Sequence, residues 1–306
     1  MNSSDQFTLD FIGIGAPKCG TSWAAACVDE HPEACVSKPK ELHFFNRRRF
    51  MLFSFEDRPD LWNYTKGMEW YKNHFTHCAS AIIKGEWSTD YIYDSEAPEL
   101  IKKHFPNIKL VLLLRNPVDQ TYSQYLHKAE GRTYPPFEKL IKNDAYLASG
   151  LYYEYIKRYL TVFPREQIFI GIYEEMRKKP ALFIKNLYTF LNINPSFIPP
   201  SLVLEVNPSA PKASTLKRSF TITSEHAMRN PIGRIIIRIM KFLHINNAIK
   251  RVLYNPIRRA VVTKSEKKTA YTPLTPDIRA QLSSYYAADI EKLASLLGKD
   301  LSAWKS

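Results

Sequence analysis

Four short apolar runs stand out along the chain: LDFIGIG at 9–15, AIIKGEW at 81–87, IKLVLLLR at 108–115 and QIFIGIY at 167–173. Each is bounded by polar or turn residues and has strand rather than helix length, so each predicts a buried β-strand. The unbroken LVLLL suits a central strand covered on both faces. Helix-compatible stretches follow three of the runs, over Thr21 to Glu30, Asp119 to Lys128 and Pro180 to Leu191, the last with apolar positions at helical spacing. This alternation predicts an α/β fold, a central parallel sheet flanked by helices. The closing segment predicts a long helix with Thr275 or Asp277 as its cap, Gly298 as its stop, and Leu282, Tyr285, Tyr286, Ile290, Leu293 and Leu297 as its apolar stripe.

With 306 residues, 45% of them hydrophobic and 24% charged, the chain is long enough to bury a core and too apolar to be disordered. The opening MNSSDQFTLD lacks the basic start and apolar run of an export signal, so a cytoplasmic chain is expected, and no apolar stretch reaches membrane-spanning length. Cys19, Cys27, Cys35 and Cys78 show no zinc-type spacing, so reduced thiols, no disulfide framework and no metal are expected.

Charge is less evenly spread. The formal charge is +13, yet residues 212–268 hold fourteen Lys or Arg against Glu225 and Glu266 alone. The turn-rich stretch 200–212 leads into this band. The chain therefore reads as one domain, 1–306, with 205–270 as a basic helical, lid-like subregion. From Gly233 to Val262 Ile, Leu and Val alternate with Arg and Lys, which suits amphipathic basic helices, and the 229–262 stretch is the one expected to touch a membrane surface or attract an anionic partner.

Chemistry concentrates in two places. FIGIGAPKCGTSWAAA runs from a strand through a turn holding Lys18 into a helix, where unpaired amides and the helix dipole face an anion. Lys18 precedes Gly20, so this is not the Gly-Lys-Ser/Thr ending of a Walker box; an ordinary strand-to-helix turn is the plain alternative. IKLVLLLRNPVDQTYSQY ends a strand in Arg115, whose planar fork suits a phosphate, and places Ser123 eight residues on.

Together these stretches resemble the sulfotransferases that use 3'-phosphoadenosine 5'-phosphosulfate (PAPS), the first their 5'-phosphosulfate loop and the second their 3'-phosphate site. KPKELHFF at 38–45, GEWSTDY at 85–91 and IYEEMRKKP at 172–180 are similar to motifs of the branch holding the heparan sulfate sulfotransferases and bacterial relatives. The resemblance implies the sulfotransferase fold and PAPS as co-substrate, with 3'-phosphoadenosine 5'-phosphate (PAP) as product and no metal. Pro17, Lys18, Cys19, Gly20, Thr21, Ser22 and Trp23 would form the 5' loop, with Lys18 also stabilising the leaving phosphate. Arg115 and Ser123 would hold the 3'-phosphate, with Lys212, Lys217 and Arg218 as candidates to complete it. Glu41 would be the base, with His43 beside it orienting the acceptor or acting as base itself.

The acceptor stays open among a glycan, a lipid-linked sugar and a small natural product, as a hydroxyl or an amine. Trp87 and Asp90 replace the Lys and Pro common in that branch, which weakens the case for a highly sulfated glycan. A P-loop kinase or nucleotide hydrolase, and a membrane or nucleic-acid binder acting through the basic band, are the competing readings. No nucleic-acid partner is expected. Cys19, at a helix start, is either a reactive thiol or a space-filler.

Overall fold

The computed structural model describes residues 7–50, 55–130, 133–203 and 271–305. The chain divides into two compact units: 1–130 with 134–209 and 271–306, and 131–133 with 210–270. The second largely coincides with the basic segment set apart by its charge. Lys212, Lys217, Arg218 and the 229–262 stretch lie outside the described residues.

Each of the four apolar runs forms a strand. β1 (Phe11–Gly15), β5 (Ile83–Trp87), β6 (Lys109–Leu114) and β7 (Ile168–Ile172) join β2 (Ala34–Val36) in a parallel sheet of order β2-β5-β1-β6-β7. Leu110 to Leu114 of β6 are at most 1% exposed, as expected of a strand covered on both faces. β2 has only three residues, ACV, too few to show a period. It earns its place by register, Ala34 pairing with Ile83 and Val36 with Gly85. Gly13 of β1 is opposite Trp87 of β5, and a Cβ on Gly13 would lie 2.2 Å from the indole, so the large ring fills space the glycine leaves. A short antiparallel hairpin, β3 (Arg48–Phe50) and β4 (Phe55–Asp57), stands apart from the sheet.

The helices of the described residues are α1 (Thr21–Asp29), α2 (Gly67–Lys72), α3 (Ala97–His104), α4 (Pro117–Ala129), α5 (Phe137–Leu140), α6 (Asp144–Leu147), α7 (Tyr152–Val162), α8 (Tyr173–Lys178), α9 (Pro180–Leu191) and α10 (Pro276–Leu297). None is long and apolar enough to cross a membrane. Thr275 caps α10 by accepting from the Ile278 amide, and Gly298 ends it in the left-handed region. Of the expected stripe, Leu282, Tyr286, Ile290 and Leu293 are buried, while Tyr285 is exposed and Leu297 only partly covered. Tyr286 shares a hydrogen bond with Thr121, which seats α10 on α4.

One expectation is overturned. Cys35 and Cys78 form a disulfide, leaving Cys19 and Cys27 as the free thiols. The partners lie 43 residues apart, a pairing that tertiary packing creates and spacing does not announce. His77 brings a third potential metal ligand within 4.8 Å, but both sulfurs are used in the bond.

Candidate active site

β1 reaches α1 through the turn Ala16–Gly20, in which Lys18 (φ 66°) and Gly20 (φ 86°) are both left-handed. At Gly20 a side chain is disfavoured by that φ and by space, since a Cβ would lie 2.4 Å from Met176 Cε and 3.1 Å from Tyr173 Cδ2. No side chain caps α1. The Trp23 and Ala24 amides both donate to the Gly20 carbonyl, so the Thr21 and Ser22 amides have no partner among the described residues. They sit at the positive end of the helix, the arrangement that receives an anion.

Arg115 leaves the carboxyl end of β6 and crosses to this turn, its Nη1 donating to the Lys18 carbonyl at 3.3 Å. Its guanidinium lies 4.5 Å from the centre of the Tyr173 ring, within cation–π range. Its Nε is buried without a hydrogen-bond partner, and so is the hydroxyl of Ser123 on α4, which is 3% exposed. A buried unsatisfied polar group costs about 1–3 kcal/mol. Two such groups on one strand–turn–helix, beside two free amides, describe a place for an anion with several acceptor oxygens.

Hydrogen bonds tie this region to its surroundings. Asn116 caps α4 by accepting from the Val118 amide, while its own amide donates to Glu174 at 3.0 Å. The other Glu174 oxygen accepts from the Trp304 indole, so the cap of α4, α8 and Trp304 meet at one carboxylate. Gln120 donates to the Pro17 carbonyl, tying α4 to the donor-type turn. Sequence reading missed Tyr173 and Glu174 as supports of Arg115, although the motif at 172–180 contains both.

The segment after β2 carries the other chemistry. Glu41 accepts from the Thr89 amide (2.9 Å), the Thr89 hydroxyl (2.9 and 3.1 Å) and Lys40 (3.2 Å). Burial works to raise its pKa, but Lys40, His43 and the two Thr89 donors outweigh it and hold the carboxyl below its usual value. His43 is pushed down to about 4, chiefly by burial; Glu41 opposes that shift while Arg49 and Lys40 reinforce it. At neutral pH the pair is a carboxylate beside a neutral imidazole. Asn46 donates through Nδ2 to the Arg48 carbonyl, so its Oδ1 is the atom facing His43 Nδ1 at 3.3 Å. The proton is thereby assigned to Nδ1, and the Nε2 lone pair faces Glu41 Oε2 at 3.5 Å. Two acceptors confront each other with no proton between them, an arrangement a hydroxyl could complete.

Strand order brings the two chemistries together. β2 and β5 lie on one side of β1 and β6 on the other, so all the segments involved emerge at the carboxyl edge of adjacent parallel strands, where open α/β sheets bind ligands. The contact is close: a Cβ on Gly15, at the end of β1, would lie 2.8 Å from the carbonyl of Thr89, whose amide and hydroxyl hold Glu41.

Other residues assigned to the donor loop from sequence divide. Trp23 points away, its indole buried against Phe183 and donating to the Ser201 carbonyl at 2.8 Å, and its amide is used within the helix start. Cys19 is fully buried, its thiol pushed up to about 12 by burial against the lowering effect of Arg115, so it fills space as a neutral thiol. Pro17 offers a carbonyl that Gln120 and Cys19 already use. Trp87, where the resembling branch often has Lys, lies under β1 at 0% exposure and belongs to the core.

A parallel sheet with an anion cradle at its central turn, a guanidinium whose buried Nε has no partner on one flank and a carboxylate–imidazole pair on the other is an arrangement able to receive an anionic ligand beside a proton acceptor. The chain belongs to the sulfotransferase family, whose domain matches residues 9–296. It is 31% identical over 198 residues to heparan sulfate glucosamine 3-O-sulfotransferase 5 of Mus musculus, covering 60% of this chain and 53% of that protein. It is 23% identical over 320 residues to bifunctional heparan sulfate N-deacetylase/N-sulfotransferase 3 of Mus musculus, covering 96% of this chain and 31% of that protein. The chain thus spans about half or less of the length of these relatives. The crystal structure of a sulfotransferase from Alicyclobacillus acidocaldarius shares the fold, with a TM-score of 0.65 at 22% identity over 98% of this chain and 100% of that one.

Proposed function

We propose that the chain transfers the sulfuryl group of PAPS to a hydroxyl of an anionic glycan acceptor of the heparan sulfate type. The observation that carries the donor assignment is the pair of buried, unpartnered donors, Arg115 Nε at a strand end bonded to the Lys18 turn and Ser123 Oγ on the helix that follows. A donor with one anionic group for the free amides of Thr21 and Ser22 and another for Arg115 and Ser123 satisfies both places. When bound, PAPS supplies an activated sulfuryl group poised for in-line transfer. Lys18 adds a cation to the turn that receives the 5' end. The Glu41–His43 pair takes the acceptor's proton into the gap between Oε2 and Nε2, and a positioned base contributes typically 10²- to 10⁴-fold.

The acceptor class is supported by the names of the relatives and by Arg49. Its Nε is buried without a partner and its charge bears on His43, so an anionic group on the acceptor would find a cation beside the base. Calorimetry with PAP and ADP tests the donor. PAP should bind at least tenfold more tightly, and Arg115→Ala should abolish that preference; equal affinities in the unaltered protein refute the assignment. Isotopically labelled PAPS with desulfated and N-sulfated heparan oligosaccharides tests the acceptor, with Glu41→Gln expected to lower transfer by two or more orders of magnitude.

A further inference from the structure

Beneath the base segment lies a carboxylate the mechanism does not use. Glu86, on β5, is 0% exposed and accepts three hydroxyl hydrogen bonds: Tyr71 and Tyr91 on Oε1 at 2.8 and 2.7 Å, and Ser88 on Oε2 at 2.8 Å. Two of these hydroxyls are relays. The Ser88 oxygen accepts from the His43 amide at 2.9 Å, and the Tyr91 oxygen from the Phe44 amide at 2.8 Å. A hydroxyl has one proton. Both relays spend theirs on Glu86, which leaves their lone pairs for two consecutive amides. His43, meanwhile, sits at φ 49°, a region that residues with side chains seldom adopt without support.

We infer that Glu86 is the positioning residue of the proton-accepting pair: as an acceptor-only carboxylate it fixes the direction of both hydroxyl relays and so holds His43 in the backbone conformation that sets Nε2 against Glu41. The inference deepens the sulfotransferase reading, since it concerns the base of that reaction, but its geometry stands on this chain alone. Protonating Glu86, or replacing it with Gln, puts a donor where one relay needs an acceptor, so at most one of the two amide bonds keeps its partner's orientation.

Burial raises the Glu86 carboxyl to about 7; the three hydroxyls oppose that shift and Glu41 adds to it. The ionisable groups facing it are Tyr71 from α2, Tyr91 from the turn after β5, and Glu41. Both tyrosines are held well above 10 by burial, and Glu41 lies below its usual value, so none of them titrates near 7. His43, at about 4, does not either.

The test is amide NMR of the full chain between pH 5.5 and 8.5, which needs no acceptor. In the unaltered protein the His43 and Phe44 amides should follow one inflection near pH 7, and Glu86→Gln should remove it from both. Ser88→Ala should remove it from His43 and spare Phe44, while Tyr91→Phe should do the reverse. This crossed pattern is one that general loosening would not produce, and the two relay variants keep the test decisive if Glu86→Gln does not fold. Absence of the inflection in the unaltered protein, or equal effects of the relay variants on both amides, overturns the inference. Where labelled heparan oligosaccharides are turned over, the rate should fall along the same limb as pH drops through 7, and Glu86→Gln should lower kcat at pH 8 at least tenfold with the KM for PAPS within twofold. The crossed pattern without PAP binding would retain the positioning role and reject the donor reading.

Discussion

Replacing Cys35 and Cys78 by serine removes the only covalent tie between β2 and the turn that ends at Cys78 among the described residues. In the chain-entropy account, a crosslink closing a loop of 43 residues lowers the entropy of the unfolded chain by about 13 cal/mol/K, or about 4 kcal/mol at 25 °C. Unfolding of 306 residues carries roughly 640 cal/mol/K at about 2.1 cal/mol/K per residue, so the melting midpoint should fall by about 6 °C. Differential scanning calorimetry of the protein purified without reductant, against the double serine variant, measures this. The unaltered protein in dithiothreitol should melt with the variant. Alkylation of the denatured, unreduced protein followed by mass measurement should label two of its four cysteines. Labelling of all four, or a midpoint shift under 1 °C, refutes the argument. The location makes the loss functional as well, because the bond anchors β2 just ahead of Lys40, Glu41 and His43.

Two further outcomes follow from the site. His43 titrates at about 4 in the folded chain against an ordinary value near 6.5, so the unfolded imidazole takes up a proton first; stability should fall as pH drops from 6.5 through about 4, by roughly 3 kcal/mol in all, and His43→Gln should flatten that part of a pH series of urea melts. An unchanged slope in the variant contradicts the assignment. Gly20→Ala should cost about 1–2 kcal/mol from its positive φ alone, because the Met176 methyl that blocks the new Cβ ends a flexible side chain and can move; PAP affinity should fall with it, and a variant as stable and as tight-binding as the parent would show that the turn does not need a left-handed residue.

Much of this arrangement can be read from the sequence, for identifiable reasons. The strands β1, β5, β6 and β7 are short apolar runs ended by turn residues, and α1, α4, α9 and α10 carry the 3.6-residue period or a capping residue. Lys18, Gly20 and Arg115 are visible because residue type and position after a strand coincide, whereas Glu41 and His43 are visible only through the resemblance of KPKELHFF to a family motif. β2 is invisible because three residues cannot display a period. Asp94 escapes notice for a different reason: its carboxylate accepts from the Glu96 and Ala97 amides at the start of α3 and from the Arg47 and Arg48 amides beside the hairpin, and only folding brings those segments together. The same holds for Glu86, whose neighbours in the chain, Gly85 and Trp87, give no sign of three hydroxyls converging on it. Trp23 illustrates the opposite error. It follows the loop residues directly, yet one further residue, about 100° round the helix, turns its side chain into the core.

The order of the strands also sets which parts of the site should act on one another. Arg115 leaves β6 and Ser88 follows β5, with β1 between them; two interstrand spacings put their backbones about 10 Å apart. Substitutions that far apart without shared partners usually add within about 0.5 kcal/mol. Arg115→Ala and Ser88→Ala should therefore be additive in kcat/KM for sulfuryl transfer. Glu41 and His43 face one another at 3.5 Å across the position of a single proton, so Glu41→Gln and His43→Gln should be strongly non-additive, with a coupling above 1 kcal/mol. The approach of Gly15 to Thr89 brings the end of β1 close to the Glu41 anchor, and it involves neither Arg115 nor Ser88. Coupling between Arg115 and Ser88 as large as that between Glu41 and His43 would mean that the base segment moves with the nucleotide site, and the division of the carboxyl edge into a donor flank and a proton-accepting flank would have to be abandoned.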